Sequence, residues 1–279
     1  MSESTFASFT PVLVRRHSIV VRVTHWLNVV CLTFLLMTGL QIFNAHPRLY
    51  VGSYGADADR PILEIGTRGG DDDLHGYLRV GGLTIPTTGM LGVSKRNGET
   101  VERGFPSWIT FPGYTDLATG RRWHFFFAWF LLFNGLAYLG YGIFAGHFRR
   151  DLVLETDQLG LAHLRQQIAD HARLHFPKGE EARRYNALQK IAYLAVIFVL
   201  LPLMIVTGVT MSPGADAAFP WLAGVLGGRQ TARTIHFAAA FSIVGFVLIH
   251  LIAVLASGVL NNLRSMITGR YAIVPEKSA

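Results

Sequence analysis

The sequence predicts an all-α membrane protein: four transmembrane helices, a long outer loop and an inner amphipathic helix. Of the 279 residues, 51% are hydrophobic and 15% charged, too apolar a balance for an ordinary soluble domain. The apolar residues also gather in four runs, at about 19–43, 123–145, 191–211 and 235–260. Each can cross ~30 Å of hydrocarbon, which needs about 20 helical residues. None holds Asp, Glu or Lys in its interior, and Arg22 sits only at the start of the first. One such run could be a buried core helix. Four in one chain describe a single integral membrane domain over 1–279.

Along the chain, Met1–Pro11 is polar and acidic and lacks the basic-then-apolar pattern of a cleavable signal peptide. The first span is too long for a signal core and is expected to be retained. The outer segment 44–122 is far longer than a link between neighbouring helices requires. It holds Gly81-Gly82-Leu83-Thr84-Ile85-Pro86, the acidic run Asp71-Asp72-Asp73 and the aromatic turn Phe105-Pro106-Ser107-Trp108. Short strands and loops capping the outer helix ends are expected there. The inner segment 146–190 places Leu159, Ala162, Leu164 and Ile168 among charges, the pattern of a helix lying along a membrane surface.

Charge sets the orientation. With the N-terminus inside, the inner segments and helix ends hold 14 Lys+Arg against 8 Asp+Glu, and the outer ones 11 against 10. The short clusters Arg15–Arg16, Arg149–Arg150 and Arg183–Arg184 then all fall inside, so both termini are expected to be cytoplasmic. The net charge of +7 reads as topology and affinity for anionic lipid, not as a nucleic-acid footprint. The single cysteine, Cys31, excludes an internal disulfide, a four-cysteine iron–sulfur site and the attachment motif of c-type haem.

Eleven histidines are present. His46, His75, His163, His171 and His175 fall in loops or the surface segment, and His17 and His147 lie near the inner interface. Four lie on apolar runs. His236 and His250 are fourteen residues apart, just short of four helical turns, so they point to nearly one side, roughly 21 Å apart along the axis. Ionisable groups within a membrane are costly and mark function. Antiparallel threading matches His25 with His250 near the inner face and His124 with His236 near the outer face.

Two bis-histidine sites suit two b-type haems held by coordination and packing alone. Paired imidazoles fill both axial positions, which suits electron transfer rather than oxygen binding. Gly39, fourteen residues after His25, and Gly142, eighteen after His124, share the phase of the ligands and are read as haem clearance, with Gly208 and Gly245 as further slots. Arg121, Arg122, Arg229 and Arg233 stand at outer helix ends against the charge rule. Arg122 and Arg233 are candidates for haem propionates, and lipid phosphate is an equal alternative.

The chain resembles the dihaem cytochrome b family that includes the membrane subunits of nickel–iron hydrogenases, formate dehydrogenases and thiosulfate reductase-type enzymes. The resemblance covers all four spans. It rests on Arg22-Val23-Thr24-His25-Trp26-Leu27-Asn28, Thr38-Gly39, Arg122-Trp123-His124, Lys190, Pro202, Thr207-Gly208, His236, His250 and Met266-Ile267-Thr268-Gly269. It implies the same histidine pairing in a bacterial inner membrane, and electron exchange between a quinone pool and a partner redox subunit of the molybdenum-cofactor or hydrogenase type. A quinone site near the inner haem is implied, with Asn28, Asn186 and Gln189 as polar candidates.

The expected function is therefore that of an electron-transfer subunit of an oxidoreductase complex rather than of an enzyme alone, with membrane lipid, a quinone and a redox subunit as partners; a homo-oligomer is left open. Two alternatives stand beside it: a membrane oxidoreductase working alone, such as a superoxide-to-quinone oxidase, and a histidine-lined metal or proton pathway. The spans lack the intramembrane carboxylates that the latter would use.

Overall fold

A computed structural model describes residues 12–55, 59–70, 73–155, 158, 160–173 and 186–273. Met1–Pro11, Asp71–Asp72, Leu159, His175 and the Arg183–Arg184 cluster lie outside these residues, as do the side chains of His163 and His171.

The order begins with strand β1 (Val12–Arg15) and helix α1 (Ile19–Phe43). Six strands follow: β2 (Arg48–Leu49), β3 (Leu63–Arg68), β4 (His75–Val80), β5 (Leu83–Pro86), β6 (Gly92–Arg96) and β7 (Glu99–Arg103). Helix α2 (Leu117–Phe144) leads into a π-helical turn at Phe148–Leu152 and then α3 (Leu161–Ala172). The third span joins α4 (Ala187–Ala195), a π-helical stretch at Val196–Leu200 and α5 (Leu201–Thr210). Short helices α6 (Pro213–Ala218) and α7 (Trp221–Val225) precede α8 (Arg229–Ala256), α9 (Val259–Thr268) and strand β8 (Arg270–Ile273). Four helical stretches are thus long and apolar enough to cross a membrane. The strands correct the all-α expectation: the fold is mostly helical, with three small antiparallel sheets among the described residues.

Each boundary has a local cause. Helix α2 starts six residues before its apolar run because Asp116 caps it, its carboxylate accepting the Thr119 backbone N–H at 2.9 Å. That bond chiefly holds the Asp116 carboxyl below the usual carboxylate range. Helix α4 opens on a capping box, in which Asn186 accepts from the Gln189 backbone and the Gln189 side chain accepts from the Asn186 backbone. The π-helical stretch lies just before Pro202, whose ring and missing N–H interrupt regular helix bonding. Helix α8 stops at Ala256 because Gly258, at φ 107°, takes a left-handed conformation.

The chain divides into two compact units. One holds the described residues of 1–26, 135–199 and 243–279. Within it β1 and β8 pair antiparallel, Val12 opposite Ile273 and Arg15 opposite Arg270. Buried Lys190 donates to the Val153 carbonyl at 3.1 Å and to Gln158 at 3.0 Å, tying α4 to the segment after the π-helical turn.

The other unit holds 27–134 and 200–242. Its four-stranded sheet runs β2-β3-β4-β5, beside the β6-β7 hairpin. A core of Leu40, Phe43, Leu49, Ile65 and Phe105, with Phe237 packed on it, joins the strands to α1 and α8. Glu64, almost fully buried, lies between the guanidinium groups of Arg48 and Arg79. Arg103, also buried, donates to Gln41, to Thr110 at 3.0 Å and to the Gly113 carbonyl at 2.8 Å. Away from this core, the apolar side chains of the spans stand open: Phe133 is 62% exposed and Ile249 69%. Such faces suit lipid and not water.

Candidate functional site

Two histidine pairs form, one within each unit. In the unit that holds β2 to β7, α1 and α5 each present a threonine followed by glycine. Thr38 donates its hydroxyl hydrogen to the Phe34 carbonyl at 2.6 Å, and Thr207 donates to the Leu203 carbonyl at 2.6 Å. Each hydroxyl has only one hydrogen to give. The contacts from Thr38 Oγ1 to His124 Nδ1 (3.0 Å) and from Thr207 Oγ1 to His236 Nδ1 (2.9 Å) therefore require the imidazole to donate. Both rings are thereby held as the Nδ1–H tautomer, leaving Nε2 with a free lone pair.

The glycines let the rings approach. A Cβ on Gly39 would stand 3.4 Å from His124 Cε1, and one on Gly208 would stand 3.3 Å from His236 Cε1. The two ring centroids lie 6.4 Å apart at an interplanar angle of 59°.

In the other unit, His25 from α1 and His250 from α8 stand with centroids 6.4 Å apart at 58°. Trp26 meets His25 edge-on, its indole N–H donating to the Met266 carbonyl at 3.2 Å. Phe246 stacks on His250 at 6.0 Å. His25 Nδ1 is buried without a hydrogen-bond partner.

These distances test what could be held. Two imidazoles on opposite sides of one metal have ring centres about 6.3 Å apart, from metal–nitrogen bonds of about 2 Å and about 1.1 Å from nitrogen to ring centre. Both pairs match that separation. Among the described residues, no three His, Cys, Asp or Glu side chains gather around a point. A bare ion wanting four protein ligands is poorly served, whereas a metal whose other positions are filled by a macrocycle needs only two. The donor set fits haem.

The remaining sequence candidates divide. Gly39 and Gly208 face histidines. Gly142 faces Phe148 instead: a Cβ there would lie 2.2 Å from the ring, so its missing side chain makes room for that phenyl group. Gly245 has open space around it. Arg233 donates to the His46 carbonyl and lies 5.3 Å from the Phe43 ring centroid, while Arg122 is exposed at the start of α2. Arg121 lies 6.0 Å from the Phe125 ring, and Arg229 donates to the Met211 carbonyl at 2.9 Å. Asn28 accepts from Asn134 at 2.8 Å in one unit. Asn186 and Gln189, in the other, are occupied with each other in the capping box, which accounts for their polarity without a ligand.

Sequence reasoning missed the roles of Thr38 and Thr207. Their signal is that each immediately precedes a glycine on an apolar helix. It also left His147 unassigned at the interface. That ring is nearly buried, with Nδ1 2.6 Å from Asp151 and Nε2 3.3 Å from Tyr138 Oη.

Comparison with known proteins adds two findings. A family model described as prokaryotic cytochrome b561 matches residues 16–269. The chain is also similar to a putative protein-methionine-sulfoxide reductase subunit, YedZ1, of Azospira oryzae, with 28% identity over 232 residues. The match covers 82% of this chain and 84% of that protein.

Proposed function

This chain belongs to the prokaryotic cytochrome b561 family, and from that premise we propose that it carries electrons across a bacterial inner membrane through two haem b groups. Membership makes it an integral membrane protein with haem b as cofactor, serving electron transfer with a partner subunit. In the proposal, His25 and His250 hold one haem and His124 and His236 the other. A quinone pool exchanges electrons at the first, and a partner redox subunit outside the membrane at the second. The observation that carries this reading is the shared 6.4 Å centroid separation of the two pairs.

Bound haem supplies an iron that changes oxidation state by one electron. The chain's own residues confine that chemistry. His25 with His250 and His124 with His236 would each hold the iron from two sides and leave no position for oxygen. Thr38 and Thr207 fix two of them in the ligating tautomer, and Gly39 and Gly208 give the rings their space. The apolar spans keep water from the path.

Strand β1, before the first span, pairs with β8, after the last, and an even number of crossings likewise puts the two on one side of the membrane. With the basic clusters, this supports cytoplasmic termini. In that orientation strands β2 to β7 would lie on the outer side, where a partner would meet the second haem. The name of the Azospira oryzae protein, a reductase subunit, favours a reductase as that partner.

A visible spectrum of the purified protein tests the reading. Reduced low-spin b-type bands and two haems per chain are expected, and His236→Ala and His250→Ala should each remove one. Colourless protein that takes up zinc would overturn it.

A further inference from the structure

Within the His25/His250 unit lies a second line of ionisable groups that the electron path leaves unused. His147 follows α2 directly, and only 8% of the residue is exposed. Its Nδ1 sits 2.6 Å from Asp151 Oδ2 and its Nε2 3.3 Å from Tyr138 Oη. The Asp151 side chain is 45% exposed, whereas Tyr138 lies two turns back inside the spanning helix. An ionised carboxylate only accepts, so Nδ1 carries the hydrogen that points at Asp151. Nε2 of the neutral ring then accepts from the Tyr138 hydroxyl. Phenol, imidazole and carboxylate are thus linked from the membrane-embedded helix to solvent, with every hydrogen pointing outward.

The histidine pair lies in the same unit. The Tyr193 ring contacts Phe246, which stacks on His250. Both His25 and His147 act on His17: burial foremost, then the charges of Arg16, His25 and His147, lower its pKa to about 4. Tyr141, 5.7 Å from His147 between ring centroids, closes the remaining side. The spans hold no carboxylate that could do this work. Asp151 supplies one just outside them.

We propose that Tyr138, His147 and Asp151 form a proton relay serving a quinone bound at the His25/His250 end. The proposal rests on the quinone reading above. Oxidising a quinol to a quinone breaks two O–H bonds and releases two electrons and two protons. The haem that His25 and His250 would hold takes one electron at a time, so the first must pass on before the second follows. Each proton goes to the Tyr138 oxygen as that hydroxyl passes its own hydrogen to His147 Nε2. The resulting imidazolium is stabilised by Asp151, which takes the Nδ1 proton and releases it to water, and the ring must return to its Nδ1–H tautomer before the second proton follows. Quinone reduction runs the same transfers in reverse.

The test is stopped-flow reduction of the haem by a soluble quinol analogue, using the full haem-loaded protein in detergent, with dithionite reduction as the control. Tyr138→Phe, which keeps the ring packing, and His147→Ala should both slow quinol-driven reduction at least tenfold. Haem content and dithionite reduction should stay at the wild-type level. Free imidazole should restore part of the His147→Ala rate, and the solvent deuterium isotope effect of the wild type should change in both variants. Wild-type quinol rates in variants with full haem content would overturn the relay and leave the quinone reading standing. Haem loss in Tyr138→Phe would make the group structural and overturn the relay as well. A wild-type protein that dithionite reduces and no quinol does would overturn the quinone reading, and the relay with it.

Discussion

Thr38 Oγ1 receives the Nδ1–H of His124 across 3.0 Å while its own hydrogen stays on the Phe34 carbonyl. Thr207 repeats the arrangement with His236 across 2.9 Å. The threonine therefore acts as an acceptor of fixed polarity, because the helix has already used its donor. An imidazole that donates from Nδ1 is a more electron-rich ligand through Nε2. Two such ligands on one iron would favour the ferric state.

In the proposed site, removing that bond should raise the midpoint potential of the haem that His124 and His236 would hold. Thr38→Val and Thr207→Val keep the side-chain shape and delete the oxygen. A net hydrogen bond of about 0.5–1.5 kcal/mol corresponds to an upward shift of about 20–60 mV for a one-electron couple. Thr38→Ser and Thr207→Ser should stay near the wild-type potential. Spectroelectrochemical titration reads the shift, with pyridine haemochrome analysis confirming full haem content.

Gly142 and Phe148 should behave as one unit in stability. A methyl at 142 would meet the Phe148 ring at 2.2 Å, so Gly142→Ala forces the ring aside. Overpacking of this kind costs about 1–3 kcal/mol. Phe148→Leu removes the obstacle, and the double variant should recover most of the loss. Thermal unfolding of the four proteins in one detergent completes the cycle, and additive losses would show that the two positions are not coupled.

The spans were legible because apolar length reports membrane thickness directly. Ile19–Phe43 is both the apolar run and the helix. Helices α2 and α8 begin six residues before their runs, at Leu117 and Arg229, since hydropathy does not register the polar turns that extend a helix beyond hydrocarbon. The outer segment's strands followed from its Gly, Pro and Thr content. The β1–β8 pairing joins residues some 250 positions apart and left no local mark. The histidine pairs could be reasoned from depth alone. The threonines could not, because a threonine on an apolar helix usually just bonds back to its own turn. Gly142 shares a helical phase with His124, yet phase gives direction and not neighbour, and the neighbour is Phe148.

Glu64 should matter to the unit of β2 to β7 more than its single charge suggests. Its side chain is 4% exposed, with Arg48 Nε at 2.9 Å and Arg79 on the other oxygen. Losing one partner of a buried ion pair costs about 3–5 kcal/mol, and the partial exposure of both arginines reduces that to roughly 1–3 kcal/mol for Glu64→Ala. Glu64→Gln, which keeps the shape and one acceptor, should lose less. Limited proteolysis of the 44–116 segment, alongside thermal unfolding, would register the loosening. Equal stability of both variants and wild type would show the pairs to be inert.

Arg233 offers a test of opposite sign at the His124/His236 site. Its guanidinium already donates to the His46 carbonyl and lies over Phe43, so a structural role is secured without any haem. If it also faces a propionate, its positive charge stabilises the reduced, less positive haem. Arg233→Gln should then lower that haem's midpoint potential, against the rise expected from Thr38→Val. Arg233→Lys should restore the potential while leaving the planar contact with Phe43 unrepaired. Arg122→Gln, at an exposed position screened by solvent, should shift it less. Unfolding temperature separates the two roles. A purely structural Arg233 would lose stability in both variants and leave the potential where it was, and Arg233 would then drop out of the set of propionate contacts.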